Sequence, residues 1–344
     1  LKVSIVGATG YGGLELTRFI NNHAVFELES VHSSSRTGES IAGEYPHLKS
    51  ITDHLLQEID PEKIAKTSEV VFLATPNGIS KGLTPIFQDL NIKVIDLSGD
   101  LRIKDRGQYQ AWYKKEPADQ KVIDSAVYGL SEWNREAVSK AGTIANPGCF
   151  PTASLLGLAP ILQNYETVCD IIIDAKTGVS GAGKAPSAST HFSEINENIK
   201  IYKVHEHQHV PEIEQQCLLW NPGAPNISFS AHLVPMTRGI MATMYIKTNQ
   251  ETTSHEIWEL FRHTYEKHPF VRIHPQGSFP CTKHVYGSNF CDIGTAVDER
   301  TGRITVVSVI DNLVKGAAGQ AIQNANIMMG IKEEEGLTQL PLYP

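Results

Sequence analysis

The chain opens on a strand that turns into a helix through glycines, and this narrows the folds open to it. Lys2 to Val6 is a short β-branched run, followed by Gly7, Gly10 and Gly13 at GxxGxxG spacing. Leu14, Thr17, Arg18 and Asn21 then continue at helical spacing. Glycines in that setting let the backbone approach a pyrophosphate, whose charge sits on the helix N-terminus and its unpaired N–H groups. A dinucleotide-binding turn is therefore expected. Further apolar runs at Phe26–Val31, Val70–Gly78, Val94–Gly99 and Thr143–Asn146 are spaced by helical segments. That order predicts βαβ units and a doubly wound, Rossmann-type α/β domain with a parallel sheet.

The end of the second strand selects the cofactor. A carboxylate roughly 20 positions past the glycines would hold the ribose 2′-OH of NAD. Here the strand ends in His32-Ser33-Ser34-Ser35-Arg36, and Glu29 lies too early, within the strand. Hydroxyls and a guanidinium suit a 2′-phosphate, so NADP(H) is expected, with Ser34 and Arg36 as contacts.

Beyond about residue 150, runs such as DIIIDAKTG, NISFSAHLVP, IMATMYIKT and ITVVSVID occur without a helix between every pair. They predict an α+β domain with a mostly antiparallel sheet. The tail from Lys315 to Gly330 is again helical in spacing and could return to the first domain. The expected division is 1–148 with 314–344 as the nucleotide-binding domain, and 149–313 as the catalytic and substrate domain.

Composition removes several function classes. A net charge of −8 over 344 residues is a poor footprint for nucleic acid. The longest weakly polar run, Thr152 to Leu162, falls short of the ~20 residues a membrane span needs. The first residues show no basic region or cleavage pattern, so no signal peptide is expected. Five scattered cysteines with no CxxC pair argue against a disulfide framework and for a reducing cytoplasm.

Two motifs mislead. Gly178 to Lys184 fits GxxxxGK, but the next residue is Ala185 where magnesium needs Ser or Thr. A glycine-lined loop placing Lys184 near an anion is the better reading. His205-Glu206-His207-Gln208-His209 fits HExxH, which binds zinc only on a helix. Here Val210-Pro211 follows, so the helix begins after the motif, and no metal is expected.

Asn146-Pro147-Gly148-Cys149-Phe150-Pro151-Thr152 ends one strand and starts a helix. A cysteine there feels the positive end of the helix dipole, which favours the thiolate and makes Cys149 the candidate nucleophile.

With these segments in view, the chain resembles the N-acetyl-γ-glutamyl-phosphate reductase family, in the aspartate-semialdehyde dehydrogenase-like group. The matching segments are GATGYGG, FLATPNG, DLSGDLR, YGLSE, NPGCFPT, TGVSGAGK, HQHVPEIEQ and DNLVKGAAGQAIQN, in order from residue 7 to 324. Where the family has H-R-H, this chain has His207-Gln208-His209. The resemblance implies reduction of N-acetyl-L-glutamyl 5-phosphate by NADPH to the 5-semialdehyde with release of phosphate, a step of arginine biosynthesis. It implies a thioester on Cys149 and a histidine proton shuttle, His207 with His209 second. Carried over residue by residue, Gly7, Thr9, Gly10, Tyr11, Gly12, Gly13, Ser34, Arg36, Ser180, Gly181 and Asn312 would serve the cofactor. Arg102, Asn146, Lys184, Glu212 and Arg238 would hold substrate; the Cys149 backbone N–H, with the Asn146 side chain, would meet the oxyanion. A homo-oligomer, dimer or tetramer, is implied as well. The alternatives are a sister reductase acting on aspartyl or α-aminoadipyl phosphate, and a nucleotide-sensing binding protein without catalysis.

Overall fold

Seven short strands form the first sheet: β1 (Lys2–Val6), β2 (Glu27–His32), β3 (Leu56–Gln57), β4 (Val70–Leu73), β5 (Lys93–Asp96), β6 (Ala126–Tyr128) and β7 (Thr143–Ala145). They come from a computed structural model that describes residues 1–167 and 169–343. The order is β3-β2-β1-β4-β5-β7-β6, and every pairing is parallel. All four residues of β4 are buried, as a sheet covered on both faces requires. Strand order reverses between β1 and β4, the switch point at which open α/β sheets bind ligands. Val6, Val71, Leu73, Phe87 and Val94 form one core cluster beneath it.

The second sheet contains β8 (Ile171–Thr177), β9 (Lys200–Tyr202), β10 (Ile227–Leu233), β11 (Ile240–Lys247), β12 (Val271–Ile273), β13 (Cys291–Asp298) and β14 (Arg303–Ile310). Its order is β12-β13-β14-β11-β8-β10-β9. The β8–β10 and β12–β13 pairings are parallel and the other four antiparallel. Burial alternates along β10 and β11, so one face is covered and the other half-exposed. The covering element is the helix Cys149–Asn164, buried along nearly its whole length. A Cβ on its Gly157 would lie 2.3 Å from Met244 Cε, so the Met244 side chain of β11 fills the space that a side chain there would take.

Contacts divide the chain into two units, Leu1–Gly148 with Ala317–Thr338, and Cys149–Gly316 with the last residues from Gln339. The tail expected to return whole from 314 is thus split. Its end stays with the second unit because the Leu342 N–H donates to the Tyr286 carbonyl at 2.8 Å and Lys283 lies over the Tyr343 ring. Pro344, the last residue of the expected range, lies outside the described residues. Among the described residues no helix is long and apolar enough to cross a membrane.

Candidate active site

In the first unit the glycine turn has the shape a phosphate needs. Gly7 sits at φ +88°, and a Cβ there would come within 2.4 Å of the Ala74 carbonyl oxygen at the end of β4. Gly13 is barred from a side chain by Ala8, 2.5 Å away, which sets how closely the helix Tyr11–Ile20 leaves the strand. At Gly10 and Gly12 the Cβ positions are open, with nothing nearer than 3.7 and 3.9 Å. Gly10 caps the helix without a side-chain hydrogen bond, so the first-turn N–H groups of Tyr11, Gly12 and Gly13 have no side-chain cap. That is a cradle for an anion, and it fits a dinucleotide pyrophosphate. The Thr9 carbonyl accepts from the Tyr45 hydroxyl at 2.8 Å, which steadies the turn.

Ser34 and Arg36 follow β2 and are exposed. Arg36 is not idle: Nη1 lies 3.2 Å from Glu39 and 2.9 Å from Glu44. The second strand indeed ends without a carboxylate, yet two arrive from residues that follow it. Sequence reading missed both, since their signal is spatial.

Arg102 and Asn146 are buried in the same unit. Arg102 donates through Nε to the Asn146 carbonyl at 2.7 Å and through Nη2 to the Leu97 carbonyl at 2.7 Å. The Asn146 amide donates to the Ala317 carbonyl and accepts from Asn324 Nδ2 at 3.0 Å. The guanidinium expected to take a substrate phosphate is thus engaged on backbone carbonyls. Arg102 and Asn324, the latter not anticipated, fix Asn146, three residues before Cys149 in the chain.

In the second unit Cys149 is the first residue of its helix and half-buried. Gly316, in a wide π turn at Val314–Ala318, lies against it: a Cβ there would be 2.7 Å from Cys149 Cβ. The aromatic neighbours bring in the histidines. The Phe150 ring stands edge-on to His207 at 5.2 Å and to His209 at 6.0 Å, and Phe229 of β10 is 5.2 Å from His207. Tyr202 is 5.8 Å from His207. Burial, then the charge of a Cys149 thiolate, holds the Tyr202 phenol above its usual range.

His207 is buried, and that burial, with the Lys203 charge adding to it, pushes its pKa down to about 3. The ring is neutral at physiological pH, in place of the near-neutral titration expected of a shuttle. The His209 backbone N–H donates to His207 Nδ1 at 3.2 Å, so the neutral ring carries its proton on Nε2. Lys203 also donates to Gln208 at 2.5 Å, which puts a cation next to the position where the family's arginine is missing.

The other expected residues scatter within this unit. Ser180 and Asn312 meet, with Asn312 Nδ2 donating to Ser180 Oγ at 3.0 Å and its Oδ1 accepting from Gly239 N–H at 2.8 Å. Gly181 and Lys184 are exposed on the loop past β8. Glu212 is fully buried in the first turn of the helix Val210–Trp220. Arg238 lies 3.8 Å from the buried Asp311 carboxylate. Gly178–Lys184 forms a 3₁₀ turn over Val179–Ala182, with no long helix after it. His205 sits at φ +58° ahead of the helix that starts at Val210, so His205 and His209 share no helical face. Chelation is accordingly expected to leave turnover unchanged; a rate that falls with the metal removed and recovers with zinc would refute this.

Comparison with known proteins agrees with this geometry. Residues 2–141 match the family model "Semialdehyde dehydrogenase, NAD binding domain", and residues 149–312 match "Semialdehyde dehydrogenase, dimerisation domain". Among solved structures, aspartate semialdehyde dehydrogenase II from Vibrio cholerae superposes with a TM-score of 0.73 at 18% identity, covering 96% of this chain and 98% of that one. The Candida albicans aspartate semialdehyde dehydrogenase with NADP gives 0.69 at 17% identity, covering 95% and 98%. At such identity the likeness establishes the fold. Curated relatives are much nearer in sequence. The N-acetyl-gamma-glutamyl-phosphate reductases of Geobacillus sp. (strain WCH70) and Bacillus cereus (strain AH187) are each 55% identical over 100% of both chains. With the fold and the cysteine helix already in place, identity at that level from end to end means that the chain belongs to the N-acetyl-gamma-glutamyl-phosphate reductase family.

Proposed function

We propose that this chain reduces N-acetyl-L-glutamyl 5-phosphate to N-acetyl-L-glutamate 5-semialdehyde with release of phosphate, through a thioester on Cys149. The observation that carries the chemistry is a half-buried cysteine at a helix start, whose chain neighbour Phe150 packs edge-on against an imidazole held neutral with its proton on Nε2. The Cys149 sulfur attacks the acyl carbon and phosphate leaves with the bonding pair. The Cys149 backbone N–H, at the start of the helix, is the donor for the oxygen that becomes negative, and a donor fixed in the backbone costs little reorganisation. NADPH, when bound, supplies the hydride that takes the thioester to the aldehyde level. His207 holds its Nε2 proton for the oxyanion that forms. Phe150, Phe229 and Tyr202 pack round the imidazole and keep water from it.

The unit built on the first sheet serves the nucleotide and the unit from Cys149 serves the substrate. Lys184 and Arg238 supply positive charge for the substrate's anionic groups, and Glu212 orients the histidines. The second unit pairs with a copy of itself through the half-exposed sheet face, where Ile172 and Tyr245 alternate with the buried positions. Light scattering distinguishes a dimer from a tetramer or a monomer. Five scattered cysteines with no CxxC pair and a net charge of −8 fit a cytoplasmic enzyme acting on a small molecule.

The decisive assay runs the reaction backwards, measuring NADP⁺- and phosphate-dependent oxidation across several semialdehydes. Preference for aspartate semialdehyde over the N-acetylglutamate compound would favour a sister reductase.

Cofactor preference gives a second test. Arg36 is exposed at its rim, so its contact to a 2′-phosphate is expected to contribute on the order of 1.5–3 kcal/mol. Arg36→Ala should therefore lower kcat/KM for NADPH roughly 10- to 100-fold and leave NADH nearly unchanged. Equal losses for both cofactors would make Arg36 a partner of Glu39 and Glu44 alone.

A further inference from the structure

Far along the second sheet from His207, a group of side chains that the reaction does not use meets in one cavity. We propose that His274, His284 and Asp292 bind a divalent transition-metal ion of the zinc class, with one coordination position left open to that cavity.

One ligand atom from each of the three residues lies within 4.8 Å of the others, the sole such group among the described residues. His274 Nε2 is 3.0 Å from Asp292 Oδ2. Two ligands on one ion at ~2.0–2.2 Å are roughly 3.3 Å apart in a tetrahedral site, so that pair is already at coordinating separation. The His274 and His284 rings stack at 5.5 Å with 16° between their planes. His284 is half-exposed, and its Nδ1 accepts from the Cys281 backbone N–H at 3.4 Å, which leaves Nε2 as the ring nitrogen for an ion.

The frame beneath is stiff. Asp292 is buried in β13, paired with Arg272 of β12 on one side and Val309 of β14 on the other. The His274 backbone N–H donates to the Ile293 carbonyl at 2.8 Å, which ties the end of β12 to the same strand. Arg272 donates through Nε to Asp292 Oδ1 at 2.6 Å and through Nη2 to Oδ2 at 3.0 Å, and its Nη2 also donates to the His284 carbonyl at 3.0 Å. A carboxylate has about four lone-pair directions, so this bidentate pair leaves capacity for an ion. Arg272 thereby orients a carboxylate ligand and the backbone of an imidazole ligand, as outer-shell partners do in metal sites.

The second observation is the cavity itself. A space of about 440 Å³ is lined by these residues with Lys283, Pro275, Pro341 and Tyr343. Two imidazoles and one carboxylate select zinc, nickel or copper over magnesium and calcium, which want oxygen ligands throughout. The positive charge of Arg272 and Lys283 weakens binding below that of a closed structural site. It also favours an anionic group at the open position.

The site is separate from the reaction. His207 packs on Phe229 of β10, and β13 is four strands from β10 in the sheet, roughly 19 Å at ~4.8 Å per strand.

The test uses full-length protein carrying Cys149→Ala, so that the candidate nucleophile does not bind metal, stripped with chelator and dialysed against zinc chloride. This protein is expected to hold a zinc equivalent that is lost, or bound at least about tenfold more weakly, when His284→Gln or His274→Gln is added. Two variants on different segments keep the test open should one fail to fold, which circular dichroism reports. Cobalt(II) in the same protein should give ligand-field bands without thiolate charge transfer. Equal zinc stoichiometry and affinity with and without the histidines, or a thiolate band, would overturn the assignment.

Discussion

Cys149→Ala is expected to abolish turnover, by roughly 10⁴-fold or more, while NADPH binding persists. The size follows from the chemistry: without the sulfur there is no atom to displace phosphate and hold the acyl group for reduction. Binding survives because the cradle of Gly7, Gly10, Gly12 and Gly13 belongs to the other unit. Cys149→Ser should be nearly as inactive, since a hydroxyl is far less ionised than a thiol at neutral pH. The direct measurement is the enzyme mass after mixing with the acyl phosphate in the absence of nucleotide. Wild type should gain one acyl group and release one phosphate per active site, and Cys149→Ala neither. An alanine variant that kept more than about a tenth of the activity would end the covalent mechanism.

His207→Ala is expected to lower kcat by roughly 10²- to 10³-fold, the cost of removing one hydrogen-bond donor from an oxyanion. His207→Gln keeps an N–H on a side chain of similar reach and should recover part of that loss. If glutamine is as inactive as alanine, the ring must exchange its proton during the reaction and not merely present it. The pH dependence follows from burial. With its pKa pushed down to about 3, His207 takes up no proton as pH falls through the ordinary imidazole range near 6.5. Activity of the free enzyme should show no acid limb from this group there. Stability behaves otherwise: the unfolded chain protonates this histidine near 6.5, so its contribution is present above that pH. That contribution is lost progressively as pH falls toward 3. Thermal unfolding of wild type and His207→Gln, followed from neutral to acid pH, should show the wild type losing more.

Much of this architecture could be read from local pattern, and the failures share a cause. The glycine turn, the helix at Cys149 and the strands at 171–177, 227–233, 240–247 and 303–310 all carry signals within a dozen residues. β3 and β6 are too short to show a period. β13 has Asp292 and Gly294 in its interior, residues that strands avoid. They are accommodated because Arg272 pairs with the aspartate, and because Gly294 lacks a Cβ, which would lie 2.9 Å from the Ser278 carbonyl oxygen and 3.0 Å from the Pro280 ring. An ion pair to a buried carboxylate and a close backbone approach are invisible without the partner segments.

The same distinction separates the site's chemistry from its arrangement. By itself the sequence determined the glycine turn, the cysteine at a helix start and the histidines ahead of the next helix, because turn geometry and a helix N-terminus depend on neighbouring residues alone. Tertiary structure decided what surrounds them. Gly316 meets Cys149 across 167 positions of chain, and Asn324 meets Asn146 across 178. Arg102 turned out to hold backbone carbonyls, and Arg36 to face two carboxylates. His207 lost its ordinary pKa to burial among Phe150, Phe229 and Tyr202. Charge pairing and desolvation are set by which segments the fold brings together, and no local pattern encodes that.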